Sequence, residues 1–145
     1  MFTRIKSWLS EYGVYIAWVV TLISLVGSLY FSEIAGIAPC ALCWYQRIVM
    51  YPLVVIMAVG IIRRDKAVSA YVLPLSIIGL GIALYQNLLI WRIIPETLAP
   101  CTVGVSCISR QFTVLNFITI PLLSLIAFTL ITGLMFVHRS AHRDD

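Results

Sequence analysis

Residues 39–62, PCALCWYQRIVMYPLVVIMAVGII, form a long apolar stretch with one charged side chain, Arg47. A helix needs roughly 20 consecutive, mainly apolar residues to cross the hydrocarbon core of a bilayer. An isolated strand could not cross, because its backbone N–H and C=O groups would lack partners in lipid. The stretch therefore predicts a membrane-spanning helix over about residues 42–62.

The rest of the chain repeats this pattern. Of its 145 residues, 61% are hydrophobic and 11% charged, whereas a soluble domain carries about 25% charged residues. One small core cannot hide that much apolar surface, so lipid must solvate it. We predict an all-α membrane protein, a four-transmembrane-helix bundle that forms a single integral membrane domain over residues 1–145. The predicted helices cover about 14–31, 42–62, 71–90 and 116–137, with outer loops at about 32–41 and 91–115.

The charged residues predict the orientation of the bundle. Lys and Arg in short loops concentrate on the cytoplasmic side of a membrane protein. Arg92 and Arg110 fall on one side of the predicted spans, and the larger group falls on the other: Arg4, Lys6, Arg63, Arg64, Lys66, Arg139 and Arg143. This bias predicts cytoplasmic termini, with all the cysteines on the opposite, oxidising side, where disulfides persist. The net charge of +4 is small and scattered, which argues against a nucleic-acid partner.

The Cys-x-x-Cys pair opens the second predicted helix. Pro39 suits the first turn of a helix, so Cys40 should lie where the exposed N–H groups and the helix dipole stabilise a thiolate. At about 100° per residue, Cys43 and Arg47 should share the face of Cys40. Two interpretations of Arg47 remain open. It stabilises a nearby anion, either a Cys43 thiolate or a cofactor oxygen that gains charge, or it is an interfacial side chain that snorkels to the headgroups.

A second pair, Cys101 and Cys107, lies in the second outer loop with TVGVS between its members. A small, exposed disulfide there could be labile and exchange with the first pair, or it could be a structural staple of the loop. A relay between two pairs needs a terminal electron acceptor. The sequence shows no haem or flavin fingerprint, and a lipid-soluble acceptor reaching the Cys43–Arg47 face would need no nucleotide-binding fold.

Four segments together resemble one known family. They are GSLYFSEI at the end of the first helix, PCALCWYQRIVMYPLV at the start of the second, YVLP at the start of the third, and NFITIPLLSLIAF in the fourth. This combination resembles the DsbB family of membrane thiol-disulfide oxidoreductases, in particular its short Bacillus-type BdbC branch. The second cysteine pair departs from the longer Gram-negative members, in which it spans a much longer loop.

The resemblance implies an enzyme that reoxidises an extracytoplasmic thioredoxin-fold thiol oxidase of the DsbA or BdbD type. The electrons would pass to quinone, menaquinone in this branch, so that disulfide bonds are generated de novo in a bacterial plasma membrane. Cys101 matches the cysteine that forms the mixed disulfide with the partner, and Cys107 the one that passes the bond toward Cys40. Cys43 matches the cysteine beside the quinone, and Arg47 the quinone-site arginine.

Two further pairs of polar residues, in the third predicted helix and in the C-terminal segment, point less clearly to a function. Gln86 and Asn87 lie near the outer end of the third predicted helix, where they could contact quinone or hydrogen-bond a neighbouring helix. His138 and His142 are expected in a solvated, frayed tail, and no metal site is predicted. Three rival classes remain: a vitamin K epoxide reductase type, which orders its cysteine pairs the other way; a four-cysteine zinc site; and a structural subunit or small transporter with inert disulfides.

Overall fold

Four long helices dominate the computed structural model, which describes residues 1–98, 113–115 and 118–143. Helix α1 covers Phe2–Leu29 and continues into a π-helical turn at Tyr30–Ile34; α2 covers Ala41–Arg63 and α3 covers Val68–Ile90. A 3₁₀ turn at Glu96–Leu98 follows, then two short strands, β1 at Thr113–Leu115 and β2 at Ile118–Thr119, and finally α4 at Ile120–Arg143. The strands pair antiparallel as a hairpin that leads into α4.

All four helices are long and apolar enough to cross a membrane, with mean hydropathies between 1.8 and 2.3 over their most apolar windows. Only 17% to 39% of those windows is buried inside the bundle. The remainder is an apolar outer surface, with exposed positions such as Ile62, Val55 and Phe136. Because water would not tolerate so continuous an apolar surface, the fold is that of a multi-pass membrane protein.

The helices form a ring in chain order, in which α1 packs against both α2 and α4, and α3 packs against the same two. The centre of the ring is a continuous apolar core to which each helix contributes, for example Ala17, Leu53, Val72 and Phe128. At Gly79 of α3 a Cβ would overlap the ring of Phe128 in α4. Glycine is therefore needed at this crossing, because any side chain would push the two helices apart.

Helices α2 and α3 begin and end within three residues of the bounds predicted for the second and third spans. Helix α1 starts at Phe2 rather than at residue 14, because the polar N-terminal segment continues the helix beyond the apolar part. Helix α4 starts at Ile120 rather than at residue 116, because the two residues directly before it, Ile118 and Thr119, form strand β2.

The expectation of a solvated, frayed tail around His138 and His142 is wrong. Helix α4 continues to Arg143, and His138 is only 5% exposed, with its ring against that of His142. The physical reason is the length of α1. Its N-terminal extension lies alongside the last turns of α4 and shields them, as the cavity shared by Ser10, Tyr15 and His138 shows.

Candidate functional site

The first cysteine pair lies at the start of α2. Cys40 has an extended backbone, with φ −74° and ψ 171°, and its carbonyl accepts the first helical bond from the N–H of Trp44 at 3.1 Å. The Sγ atoms of Cys40 and Cys43 are 3.1 Å apart. A disulfide needs about 2.05 Å between the sulfurs, so small side-chain rotations suffice to join or separate them. The pair is therefore placed for reversible disulfide chemistry.

Burial distinguishes the two thiols. Cys40 is 7% exposed, and its contact with Cys43, together with burial, raises the pKa of the Cys40 thiol above its ordinary value. The neighbouring sulfur and the loss of solvent thus oppose the stabilisation of a Cys40 thiolate that the helix dipole was expected to provide.

Both sulfurs border a cavity of about 340 Å³ at this end of the bundle. All four helices contribute to its walls, together with the loop before α2. The walls are mainly apolar, with a few polar groups near the sulfurs. The polar side chains on the lining belong to Ser24, Ser28, Gln46, Arg47, Tyr51, Gln86 and Ser124, in addition to the two cysteines.

Arg47 is fixed at the cavity by α1. Its Nε donates to Ser28 Oγ at 2.8 Å, and one terminal nitrogen donates to the Ser28 carbonyl, also at 2.8 Å. The other terminal nitrogen lies 3.4 Å from Ser32 Oγ, in the π-helical turn, and the guanidinium carbon is 5.5 Å from the ring centroid of Trp44. Within the described ranges no carboxylate forms a salt bridge with it. Arg47 therefore keeps an uncompensated charge beside Cys43, held by neutral hydrogen-bond acceptors.

A pair of buried amides, Gln46 and Gln86, lies beside the sulfurs. Gln46 Nε2 donates to Gln86 Oε1 at 2.7 Å, and Gln86 Nε2 lies 3.4 Å from Cys43 Sγ and 3.5 Å from Cys40 Sγ. Because Gln46 occupies the oxygen of Gln86, the NH₂ group is the end that faces the sulfurs. Gln46 and Gln86 thus form a donor bridge that stabilises negative charge on sulfur.

Sequence reasoning selected Gln86 and missed Gln46. The signal was present, since Gln46 is a buried polar residue of a membrane span and follows Cys43 by one helical turn. Ser28 was missed as well, because serines are frequent in membrane helices and nothing in the sequence relates α1 to Arg47. Its contact with Arg47 depends on how α1 and α2 pack.

Asn87 does not line the cavity, whereas its neighbour Gln86 does. Its Nδ2 donates to the Ala83 carbonyl at 2.8 Å and to the Pro121 carbonyl at 3.0 Å, which joins α3 to α4. Asn87 is itself buried. Of the two sequence interpretations, the helix-to-helix hydrogen bond is the one that the structure shows.

Cys101 and Cys107 lie outside the described residues, as does Arg110. Their arrangement relative to Cys40 and Cys43 therefore stays a prediction. Within residues 1–98, 113–115 and 118–143, no group of three or more His, Cys, Asp or Glu side chains could hold a metal ion. The four-cysteine zinc alternative needs the second pair and is not tested by this finding.

Comparison with known proteins identifies the family. The family model described as disulfide bond formation protein DsbB matches residues 11–138 of this chain. The chain belongs to the DsbB family. Disulfide bond formation protein C of Bacillus subtilis is 49% identical over 119 residues, covering 81% of this chain and 85% of its own length. A probable disulfide formation protein of Deinococcus radiodurans is 45% identical, with 83% and 84% covered.

A third relative, a probable disulfide formation protein of Chlamydia trachomatis, is 41% identical and covers 88% of this chain and 92% of its own length. No solved structure gives a significant match. DsbB-family membership, together with four membrane-spanning helices, makes this protein a membrane oxidoreductase of disulfide formation that acts with a thiol oxidase partner. The epoxide-reductase type and the transporter class are thereby set aside.

Proposed function

We propose that this DsbB-family protein reoxidises an extracytoplasmic thioredoxin-fold thiol oxidase of the DsbA or BdbD type and passes the electrons to quinone. The net reaction turns the partner's dithiol into a disulfide while one quinone takes up two electrons and two protons. The observation that carries the proposal is Arg47 beside Cys43 at a membrane-level cavity, with no carboxylate of the described residues to neutralise it.

The lining of this cavity fits a quinone headgroup. Its volume of about 340 Å³ falls in the range of about 300–1,000 Å³ typical of small-molecule sites. A quinone has an apolar ring and two carbonyl oxygens that only accept hydrogen bonds. The mainly apolar walls suit the ring, while Arg47 and Gln86 supply donors. When bound, quinone supplies the two-electron acceptor that the cysteines lack.

The chain's own residues prepare the cavity for developing negative charge. Ser28 holds the Arg47 guanidinium in a fixed position, so no reorganisation is needed when charge appears. A preorganised cation acts most strongly where water is excluded, because the local dielectric is low. Gln86 also donates toward the sulfurs. Quinone binding is assigned to Cys43, Arg47 and Gln86, and not to Asn87, whose amide already bonds α4.

The remaining assignments follow the family pattern. Cys101 forms the mixed disulfide with the partner, and Cys107 passes the bond toward Cys40. The distribution of Lys and Arg supports an orientation in a bacterial plasma membrane with the cysteine end outside the cytoplasm. Menaquinone is the proposed quinone, as in the short branch that the sequence resembles.

A single reconstituted assay tests the reaction. Purified protein, quinone and a reduced thioredoxin-fold oxidase are mixed without oxygen, and quinol and free thiols are counted over time. We expect one quinol for each partner dithiol lost, with menaquinone used more efficiently than ubiquinone. Loss of dithiol without quinol, or no loss at all, would contradict the proposed reaction. Equal use of both quinones would contradict only the assignment of menaquinone.

A further inference from the structure

A second cavity, of about 290 Å³, lies at the opposite end of the bundle from the cysteines. It is an open cavity lined by the N-terminal part of α1, the end of α2 and the start of α3 with the turn between them, and the last turns of α4. None of the disulfide chemistry uses it. Besides the phenol of Tyr15, its titratable lining consists of two cations, two carboxylates and two imidazoles: Arg64, Lys66, Glu11, Asp65, His138 and His142.

The two cations are available to a ligand. Neither Arg64 nor Lys66 has an ion pair or a side-chain hydrogen bond with any residue that the structure describes. Two carboxylates, Glu11 and Asp65, oppose them in the lining. The hydrogen bond that Asp65 Oδ1 accepts from the N–H of Ala67 at 2.8 Å orients this carboxylate but does not remove its charge. Five more cations belong to this end of the bundle: Arg4, Lys6, Arg63, Arg139 and Arg143. The local field is therefore positive, because the cations at this end outnumber the acidic residues.

His138 supplies an unsatisfied polar group. It is 5% exposed, and its Nδ1 is buried with no hydrogen-bond partner among the described residues. Buried polar atoms in folded proteins nearly always have a partner. The cavity that His138 lines is about ten times the roughly 30 Å³ that a water molecule occupies in the liquid, so it can hold a group larger than a single water.

The charge pattern selects an anion rather than a metal. A metal site needs several His or carboxylate ligands that converge, and within the described ranges no such group of three exists. Free guanidinium and ammonium groups beside a buried imidazole instead suit a phosphate, which accepts several hydrogen bonds at once. Basic pockets between membrane helices near the cytoplasmic surface are typical sites for phospholipid headgroups.

We propose that this cavity binds a phosphate group with net negative charge, carried by a phospholipid headgroup or by a soluble phosphate compound. Under the orientation proposed above, the cavity faces the cytoplasm and the inner leaflet. Binding holds the N-terminal part of α1 against the last turns of α4, because the ligand contacts both. The proposal stands independently of the quinone chemistry at the other end.

Arg64 offers a variant that preserves the fold. It has a left-handed backbone, with φ 51°, where α2 ends: its N–H bonds the Ile61 carbonyl at 3.2 Å and the Asp65 N–H bonds the Gly60 carbonyl at 2.9 Å. Glycine is favoured at such a helix end. Arg64→Gly should therefore remove the cation while relieving backbone strain, so that loss of binding cannot be attributed to unfolding.

The experiment measures the thermal unfolding midpoint, Tm, of the purified full-length protein in detergent during titration. The probes are phosphatidylglycerol, zwitterionic phosphatidylcholine and inorganic phosphate. The variants are Arg64→Gly, Lys66→Gln and Glu11→Gln, with Arg4→Gln as the matched control, a cation at the same end that does not line the cavity. We expect phosphatidylglycerol to raise the Tm of the wild type, and its apparent affinity to fall about fivefold for each lining cation removed.

The outcomes distinguish a specific anion site from bulk surface charge, and a lipid headgroup from a soluble phosphate. Glu11→Gln should tighten binding, because it removes one of the two opposing carboxylates. A response to inorganic phosphate that is lost in Arg64→Gly, without an additional effect of the lipid, assigns the site to soluble phosphate. A response that Arg4→Gln weakens as much as Arg64→Gly reflects bulk surface charge and overturns the proposal. Weaker binding in Glu11→Gln, or no response to either anion, also overturns it.

Discussion

At the residue scale, the chemistry of the site depends on three side chains around one sulfur. Arg47, Gln86 and Cys40 all approach Cys43, and each contributes differently. Arg47 brings a fixed charge, Gln86 a neutral donor, and Cys40 the second thiol at 3.1 Å. Arg47 shares a helix face with Cys43 and so could be predicted. The amide bridge joins residues 40 positions apart and could not.

Replacing Cys43 by serine removes the sulfur that borders both the cavity and Arg47. We expect Cys43→Ser to abolish quinol formation, because a hydroxyl cannot form the disulfide with Cys40. The measurement is the anaerobic quinol assay. A mixed disulfide with the partner at Cys101 should still be trapped in this variant, and normal quinone turnover would refute the role of Cys43.

Replacing Arg47 by glutamine keeps a hydrogen-bond donor but removes the charge. We expect turnover with quinone to fall roughly 10²-fold, the order found when a preorganised stabilising group is lost from an active site. Steady-state kinetics with varied quinone measure this change. Arg92→Gln, at the same end of the bundle, serves as the control. Unchanged quinone kinetics in Arg47→Gln would identify Arg47 as a snorkelling side chain only.

Gln46 acts through Gln86, which makes it a positioning residue. In Gln46→Glu the carboxylate accepts from the Gln86 NH₂ group, so the amide turns and presents its oxygen to the sulfurs. We expect the reduction potential of the Cys40–Cys43 pair to change in Gln46→Glu and turnover to fall about tenfold, the value of one hydrogen bond to a charged group. Gln46→Leu should have a smaller effect. A changed Tm with an unchanged potential would mean that Gln46 is only structural.

At the element scale, close packing between helices determines which residues meet. The ring of Phe128 lies directly against the backbone of α3 at Gly79, and Asn87 bonds the first turn of α4 through the Pro121 carbonyl. These contacts fix α3 and α4 beside the cavity. The hydrogen bonds between Ser28 and Arg47 likewise fix α1 against α2 beside this cavity.

The crossing of α3 and α4 provides a matched pair of glycine variants. We expect Gly79→Ala to destabilise the protein by about 1–3 kcal/mol, because the new methyl group overlaps Phe128. Gly81→Ala lies on the same helix, where an added Cβ meets nothing within 4 Å. It should be neutral or stabilising by up to about 1 kcal/mol, the helix propensity of alanine over glycine. Denaturation in detergent measures both, and equal stabilities would contradict the packing argument.

At the scale of the whole molecule, the two ends of the bundle differ in chemistry. One end carries the thiols and the apolar cavity, and the other carries most of the cations and the polar cavity. The positive-inside tendency predicts that the cationic end of such a protein stays in the cytoplasm. Under this proposed orientation the thiol end faces the oxidising side of the membrane, where disulfides persist.

Thiol labelling of intact cells measures the orientation. After reduction, we expect a membrane-impermeant maleimide to label a chain whose only cysteine is Cys101. A cysteine-free chain carrying Ser140→Cys should be labelled only after the membrane is permeabilised. The reverse pattern would place the redox cysteines in the cytoplasm, and the proposed partner could not reach them.

The sequence by itself determined the four membrane helices, the joint face of Cys40, Cys43 and Arg47, and the family. These features follow from local periodicity and from the hydrophobic length that a bilayer imposes, and both can be read along the chain. Only the tertiary structure decided that Ser28 holds Arg47, that Gln46 orients Gln86, that Asn87 bonds α4, and that His138 is buried. The reason is that these contacts join helices distant in sequence, and they depend on the angle and depth at which the helices pack.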